Sequence, residues 1–212
     1  MNIAASTRLP PVIDYDHGIT CVDTLQERPG LACSYLVRRG DDVAIVETGT
    51  AHSVPGLLAL LDARGISRER VRYVIPTHVH LDHAGGAGVL MRALPNATLV
   101  AHPRGARHLI DPSKLIAGAQ AVYGAEAVAR MYGEIAPVAE ARVVVADDGH
   151  RLALGDGELQ FIDAPGHARH HFCIWDVASR GIFTGDTFGL SYREFDTEHG
   201  PWLLPTTTPV QF

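Results

Sequence analysis

The chain is expected to be an α/β protein built on two sheets, and three observations lead there. Short β-prone runs fill its first quarter, strand and helix patterns alternate through the middle, and strand patterns return after Pro137. With 212 residues and 46% hydrophobic content, it can bury a sizeable core and is taken as one domain over 1–212.

The elements follow in order. "GITCVD" (18–23), "LACSYLV" (31–37) and "DVAIVET" (42–48) are β-branched or aromatic runs separated by "RPG" and by the tight "RRGDD" turn, and the last two should pair as a hairpin. "HSVPGLLALLDARG" places Leu57, Leu58, Leu60 and Leu61 at helical spacing, with Ser53 as cap and Gly65 as stop. "VRYVIP" (71–76) is an apolar strand stopped by Pro76. Helical spacing resumes over 84–95, and "ATLVAH" (97–102) returns to strand. Residues 103–135 have helical composition, weakened as a single helix by Gly118, Gly124 and Gly133. Strands are expected again at 141–147, 150–155, 159–163, 172–177 and 181–184.

Composition removes several functions. Eighteen basic residues against 24 acidic ones give a net charge of -6, and no Lys/Arg cluster offers a footprint for nucleic acid. No run approaches the ~20 apolar residues of a membrane span, and the N-terminus lacks a basic start followed by an apolar stretch, so a cytoplasmic protein is expected. Cys21, Cys33 and Cys173 are widely spaced among apolar or β-prone neighbours and are taken as buried thiols.

The chemistry concentrates in "THVHLDHAGG" (77–86), where His78, His80, Asp82 and His83 crowd the end of an apolar strand. In extended backbone His78 and His80 point the same way, so two imidazoles converge. Asp82 and His83 follow where the chain turns into a helix, whose N-terminal dipole tolerates a carboxylate. A lone histidine is more often a satisfied surface or core residue; this density of imidazole and carboxylate instead suits a Zn, Fe, Mn or Ni site. "DAPGHARHH" places His167 in a turn after strand 159–163, and "IFTGDTFG" places Asp186 after strand 181–184. Alone, either would be an ordinary turn residue; with the first cluster, both become ligand candidates.

The ordered set "THVHLDH", "APGH" and "FTGD", with "VETG" (46–49) at the end of an early strand, resembles the metallo-β-lactamase fold superfamily of metallohydrolases over about residues 19 to 190. "HAGGAG" and "HPRGARHLIDPSKL" look like its uncharacterised, glyoxalase II-like branch. The resemblance implies a four-layer αββα sandwich with two divalent metals at one edge, zinc first and iron or manganese as alternatives. It implies that His78, His80 and His167 hold one metal, that Asp82 and His83 hold the second, and that Asp186 bridges them. Asp82 would also orient the attacking hydroxide, the catalytic role. Glu47, standing where the family commonly has Asp, would give indirect support.

One departure matters. The family draws a further histidine for the second metal from near its C-terminus, yet none follows His199 here, and His199 has the wrong context. The expectation is therefore a domain without its C-terminal portion, or a second metal site that is weak or empty. The implied activity is hydrolysis of an ester-like bond, thioester or lactone, in a small-molecule substrate by metal-activated hydroxide. Two alternatives are a mononuclear Fe(II) persulfide dioxygenase-like oxygenase on His78, His167 and Asp186, and a non-catalytic metal-binding or interaction fragment whose open sheet face leaves room for a homo-oligomer. His170, His171 and His102 are assigned to packing or solvation near the site. Tyr192, Phe195 and Trp202 are candidates for an apolar lip over it.

Overall fold

The computed structural model describes residues 9–206. Among them, β1 (Val12–Tyr15), β2 (Ile19–Asp23), β3 (Cys33–Arg39), β4 (Asp42–Val46), β5 (Val71–Ile75), β6 (Thr98–Ala101) and β7 (Val143–Val145) form one seven-stranded sheet in that order. The first four strands pair antiparallel, β1 with β2 and β3 with β4 through short turns and β2 with β3 through the longer 24–32 loop, and β4 to β7 pair parallel. Parallel pairing needs long crossovers. Helix α1 (Val54–Ala63) carries the first; α2 (Leu81–Ala84) and α3 (Ala87–Ala93) carry the second; α4 (Ala106–Ile110), α5 (Ser113–Tyr123) and α6 (Ala125–Tyr132) lie on the third. The smaller sheet, β11-β10-β9-β8, is antiparallel and comprises β8 (Arg151–Leu154), β9 (Gly157–Asp163), β10 (Phe172–Asp176) and β11 (Gly181–Phe183).

Strand β4 shows why the sheets stack. Side chains alternate along it, so Val43 and Ile45 pack with Leu57, Leu61, Leu90 and Leu94, whereas Ala44 and Val46 pack with Phe161, Phe172 and Ile174 of the smaller sheet. Both faces are buried, which explains its uninterrupted apolar run. Among the described residues no helix covers the far face of the smaller sheet, where Ile162, Val177 and Ile182 are exposed. The structure therefore displays the two sheets and one helical layer of the expected sandwich. Among the described residues no helix is long and apolar enough to cross a membrane.

Several local expectations need correction. "VIDY" forms the edge strand β1, exposed along its length, so burial left no period to read. Ser53 makes no side-chain cap; its hydroxyl donates to the Thr24 carbonyl at 3.2 Å. The helix expected over 84–95 is split by Gly85 and Gly86 into α2 and α3. Helical breaks over 103–135 fall at Pro112 and at Gly124, whose φ of +83° ends α5, while Gly118 is accommodated inside that helix. Cys173 is buried as expected, but Cys21 and Cys33 are only half-buried. The chain end at Phe212 lies outside the described residues.

Candidate metal centre

Strand β5 ends at Ile75, and the two sheets meet just beyond it. The Phe172 N–H donates to the Thr77 carbonyl at 3.0 Å, and the Ala164 N–H to the His171 carbonyl at 3.0 Å, so the 164–171 loop is drawn over the end of β5. His167 is thereby carried to the "THVHLDH" segment. Its Nε2 lies 2.9 Å from His80 Nδ1, which itself lies 3.0 Å from His78 Nε2. These three residues offer ligand atoms that all fall within 4.8 Å of one another.

Asp186 is placed by Gly185. This glycine has φ +48°, and a Cβ there would meet Thr77 Oγ1 at 2.4 Å and His171 Nε2 at 2.6 Å. Only glycine fits so close an approach at positive φ. Asp186 then divides its oxygens, Oδ1 lying 3.2 Å from His83 Nε2 and Oδ2 3.5 Å from His167 Nε2. Asp82 Oδ2 lies 3.5 Å from the same His83 nitrogen, and its side chain is 42% exposed. All six sequence-predicted residues, His78, His80, Asp82, His83, His167 and Asp186, are thus gathered at one sheet edge.

Glu47 is more central than its sequence suggested. It adopts φ +61°, a left-handed conformation that costs a non-glycine residue about 1–3 kcal/mol, and is 4% exposed. Its Oε2 accepts the Thr77 N–H at 3.0 Å, and its Oε1 accepts the Thr77 hydroxyl. With that proton committed, the Thr77 oxygen must accept Nδ1–H of His78 at 3.0 Å, which leaves His78 Nε2 a bare lone pair. Glu47, His78 and His83 also form a second group of possible ligands. Because both Glu47 oxygens already receive Thr77 protons, we assign Glu47 to orienting the imidazoles. Its Oε1 lies 3.2 Å from His83 Nδ1 but out of line, so that buried nitrogen has no hydrogen-bond partner. Glu47→Gln should lower affinity for a metal at His78 about 10–100-fold, measured by competition with a chelating dye; unchanged affinity would remove the orienting role.

The electrostatics fit cation binding. Burial, then His83 and His80, hold His78 far below the usual imidazole range, and burial with His167 lowers His80. The His78 and His80 rings are therefore held neutral, as metal ligation requires. At His83 burial opposes charge, yet Glu47, Asp186 and Asp82 outweigh it and raise the group well above its usual value. A proton there supplies the positive charge that the surrounding carboxylates demand. The converging imidazole nitrogens of His78, His80 and His167 and the carboxylates of Asp82 and Asp186 around His83 Nε2 together fit two divalent cations, the second held mainly by oxygens.

Neighbouring histidines have structural partners. His171 is buried, stacks on His78 at 4.8 Å and lies 3.1 Å from Thr187 Oγ1. His170 Nδ1 receives the Val79 N–H at 3.4 Å, and His102 Nε2 donates to Asp163 Oδ1 at 2.9 Å. His199 is remote in character, its side chain 87% exposed. His83 is thus the only imidazole on the Asp82 side among the described residues. In metal-free protein burial, then His167 and His83, push His171 down to about 3, and burial with His80 pushes His170 down to about 4. An unfolded chain protonates both near pH 6.5, so it binds more protons between about pH 6.5 and 3 and folding weakens as pH falls through that window. Thermal unfolding of chelator-treated protein should show the midpoint falling with acidification, and His171→Asn should flatten the fall.

A cavity of about 450 Å³ opens beside the cluster. Glu47, Asp82, His83 and Asp186 form its polar end, and Leu31, Phe183, Leu190 and Tyr192 line the remainder. Tyr192 meets the expectation of an apolar lip, whereas Phe195 and Trp202 do not line this cavity and stand 56% and 61% exposed.

Comparison with known proteins agrees with this architecture. Residues 28–208 match the Metallo-beta-lactamase superfamily. Curated relatives include the acyl-coenzyme A thioesterase MBLAC2 of Homo sapiens, 28% identical over 164 residues that cover 72% of this chain and 56% of that protein. Another is a hydroxyacylglutathione hydrolase of Methylococcus capsulatus, 29% identical over 153 residues, covering 72% and 46%. Among solved structures, the archaeal superfamily protein ST1585 from Sulfolobus tokodaii superposes with a TM-score of 0.70 at 23% identity, over 92% of this chain and 71% of that one. The metallo-beta-lactamase MIM-2 gives 0.61 at 23% identity, over 80% and 58%. The chain spans 43%, 32% and 64% of the length of three further curated relatives. From the match across most of its residues, the shared two-sheet fold and the histidine clusters at the sheet edge, this chain belongs to the metallo-beta-lactamase superfamily.

Proposed function

We propose that this chain is a metal-dependent hydrolase acting on an ester-like bond, with a thioester as the first substrate class. The convergence of His78 Nε2, His80 Nδ1 and His167 Nε2, next to a carboxylate-rich group around His83, is the observation that carries the reading. On it, His78, His80 and His167 would hold one cation and Asp82 and His83 a second, with Asp186 within reach of both groups. Divalent ions supply acidified water and a polarised carbonyl oxygen, so no Ser or Cys nucleophile is needed.

The chain's own groups then have distinct tasks. Asp82, half-exposed at the cavity mouth, orients water and accepts its proton at a carboxylate oxygen. The Glu47–Thr77–His78 relay fixes the His78 tautomer. The apolar part of the cavity receives one arm of the substrate. Names of two relatives, an acyl-coenzyme A thioesterase and a hydroxyacylglutathione hydrolase, favour hydrolysis and, for the first, a thioester. With one imidazole on its side, the second site should bind its metal more weakly than the first.

Metal analysis of protein purified without added metal, combined with a thioester assay, tests this. The expected result is about two zinc, manganese or iron ions per chain and hydrolysis that a chelator abolishes and metal restores. A single iron with oxygen uptake on a persulfide would establish an oxygenase instead, and stable metal binding with no turnover on esters, thioesters or lactones would leave a binding module.

A further inference from the structure

Cys21 and Cys33 occupy neighbouring strands with their side chains on one face of the large sheet. Cys21 pairs opposite Tyr35 and Cys33 opposite Asp23, so the two cysteines are diagonal neighbours on the face turned toward the smaller sheet. Tyr35 shares that face opposite Cys21, and its hydroxyl accepts from Cys33 Sγ at 3.3 Å. Both thiols are free and half-buried. Cys33 also forms part of the wall of the cavity that holds Glu47, Asp82, His83 and Asp186. Cys173 differs on every count: it is 4% exposed, and its sulfur lies 3.8 Å from the Thr184 carbonyl oxygen.

We propose that Cys21 and Cys33 form a paired-thiol modification site, reached from the cavity that Cys33 lines, which a peroxide converts reversibly to a Cys21–Cys33 disulfide. Roles divide between the two sulfurs. The neighbouring Cys33, despite burial and with help from Tyr35, holds the Cys21 thiol below its ordinary range; Cys21 in turn, then burial, pushes Cys33 far up. Cys21 is accordingly the attacking thiolate and Cys33 the proton donor.

The chemistry balances with one peroxide. Cys21, having released its proton, attacks a peroxide oxygen; an S–O bond forms, the O–O bond breaks, and the departing hydroxide takes the Cys33 proton to leave as water. The Cys33 thiolate then attacks Cys21 Sγ, forming S–S and breaking S–O. The hydroxide released combines with the proton first lost by Cys21, so two thiols and one peroxide give one disulfide and two waters. Diagonal neighbours stand ~7–8 Å apart at Cα, beyond the ~6.8 Å that a relaxed disulfide spans. Closure must therefore draw β2 and β3 together beneath Tyr35, leaving a strained bond that thiols reduce easily.

Peroxide treatment of the metal-loaded protein, followed by alkylation and intact-mass and peptide analysis, tests the proposal without recourse to hydrolysis. The expected outcome is a loss of about 2 Da with peptides joined through residues 21 and 33, reversed by dithiothreitol. Cys173 should remain free and react at least about tenfold more slowly. Cys21→Ser should abolish the mass loss. Phenylarsine oxide, which condenses with two adjacent thiols and releases water, should be retained by the wild-type chain against a monothiol and displaced by a dithiol. Independent oxidation of the cysteines, or release of the arsenical by a monothiol, would overturn the pairing.

Discussion

Replacement of His80 by alanine is expected to empty the first metal position and to lower kcat/KM for hydrolysis about a thousandfold or more. His80 Nδ1 is the vertex of its cluster, 3.0 Å from His78 Nε2 and 2.9 Å from His167 Nε2, so its loss leaves two imidazoles with no third nitrogen between them. Charge stabilisation by a bound cation is worth several kcal/mol in the transition state, and each 1.36 kcal/mol is about tenfold in rate. Metal content and kcat/KM should fall together, while far-UV circular dichroism stays unchanged because the ring is only partly buried and no core residue is altered. Retention of one metal with an intact oxygenase activity would favour the set His78, His167 and Asp186 and defeat the hydrolase reading.

Replacement of Asp176 by alanine should damage the fold rather than the chemistry. Asp176, at the end of β10, is paired with Arg39, at the end of β3, and the side chains are 0% and 6% exposed. Asp176 Oδ2 also accepts the Ser179 N–H at 3.2 Å, and Arg39 donates to the carbonyls of His17 and Arg38. The bridge therefore ties the two sheets at the strand end opposite Cys33 and the metal centre. Removing one partner leaves a buried, uncompensated guanidinium, at a cost of about 3–5 kcal/mol. For a chain of this size that is a fall of about 6–20 °C in Tm. The double variant Arg39→Met with Asp176→Leu should recover most of the loss, because an apolar pair has no charge to desolvate. Glu158→Ala, at an exposed pair with Arg151, should change stability by no more than about 1 kcal/mol. Equal effects at the two pairs would contradict the assignment.

Legibility in the sequence tracked local interactions. The hairpin of β3 and β4, the strand at 71–75 and the stop at Gly65, with φ +63°, were readable because alternation, apolar runs and glycine act within a few residues. Edge strand β1 was not, since an exposed strand has no buried face to impose a pattern. Ser53 illustrates a tertiary override: its residue type favours a cap, yet the nearby Thr24 carbonyl takes its hydroxyl. Glu47, standing where the family commonly has Asp, was expected only to give indirect support. Only the fold revealed its left-handed backbone and its hold on Thr77.

By itself, the sequence determined which side chains could ligate metal and where along each strand they stand, because ligand chemistry and strand ends are local properties. Tertiary structure alone decided that His167 and Asp186 reach His80 and His83, through backbone bonds that tie Thr77 to Phe172 and through the space only Gly185 leaves. It also decided the buried bridge between Arg39 and Asp176 and the diagonal placement of Cys21 and Cys33. Such pairings depend on sheet register and on the stacking of two sheets, which summed burial of many side chains sets and no short stretch of residues encodes.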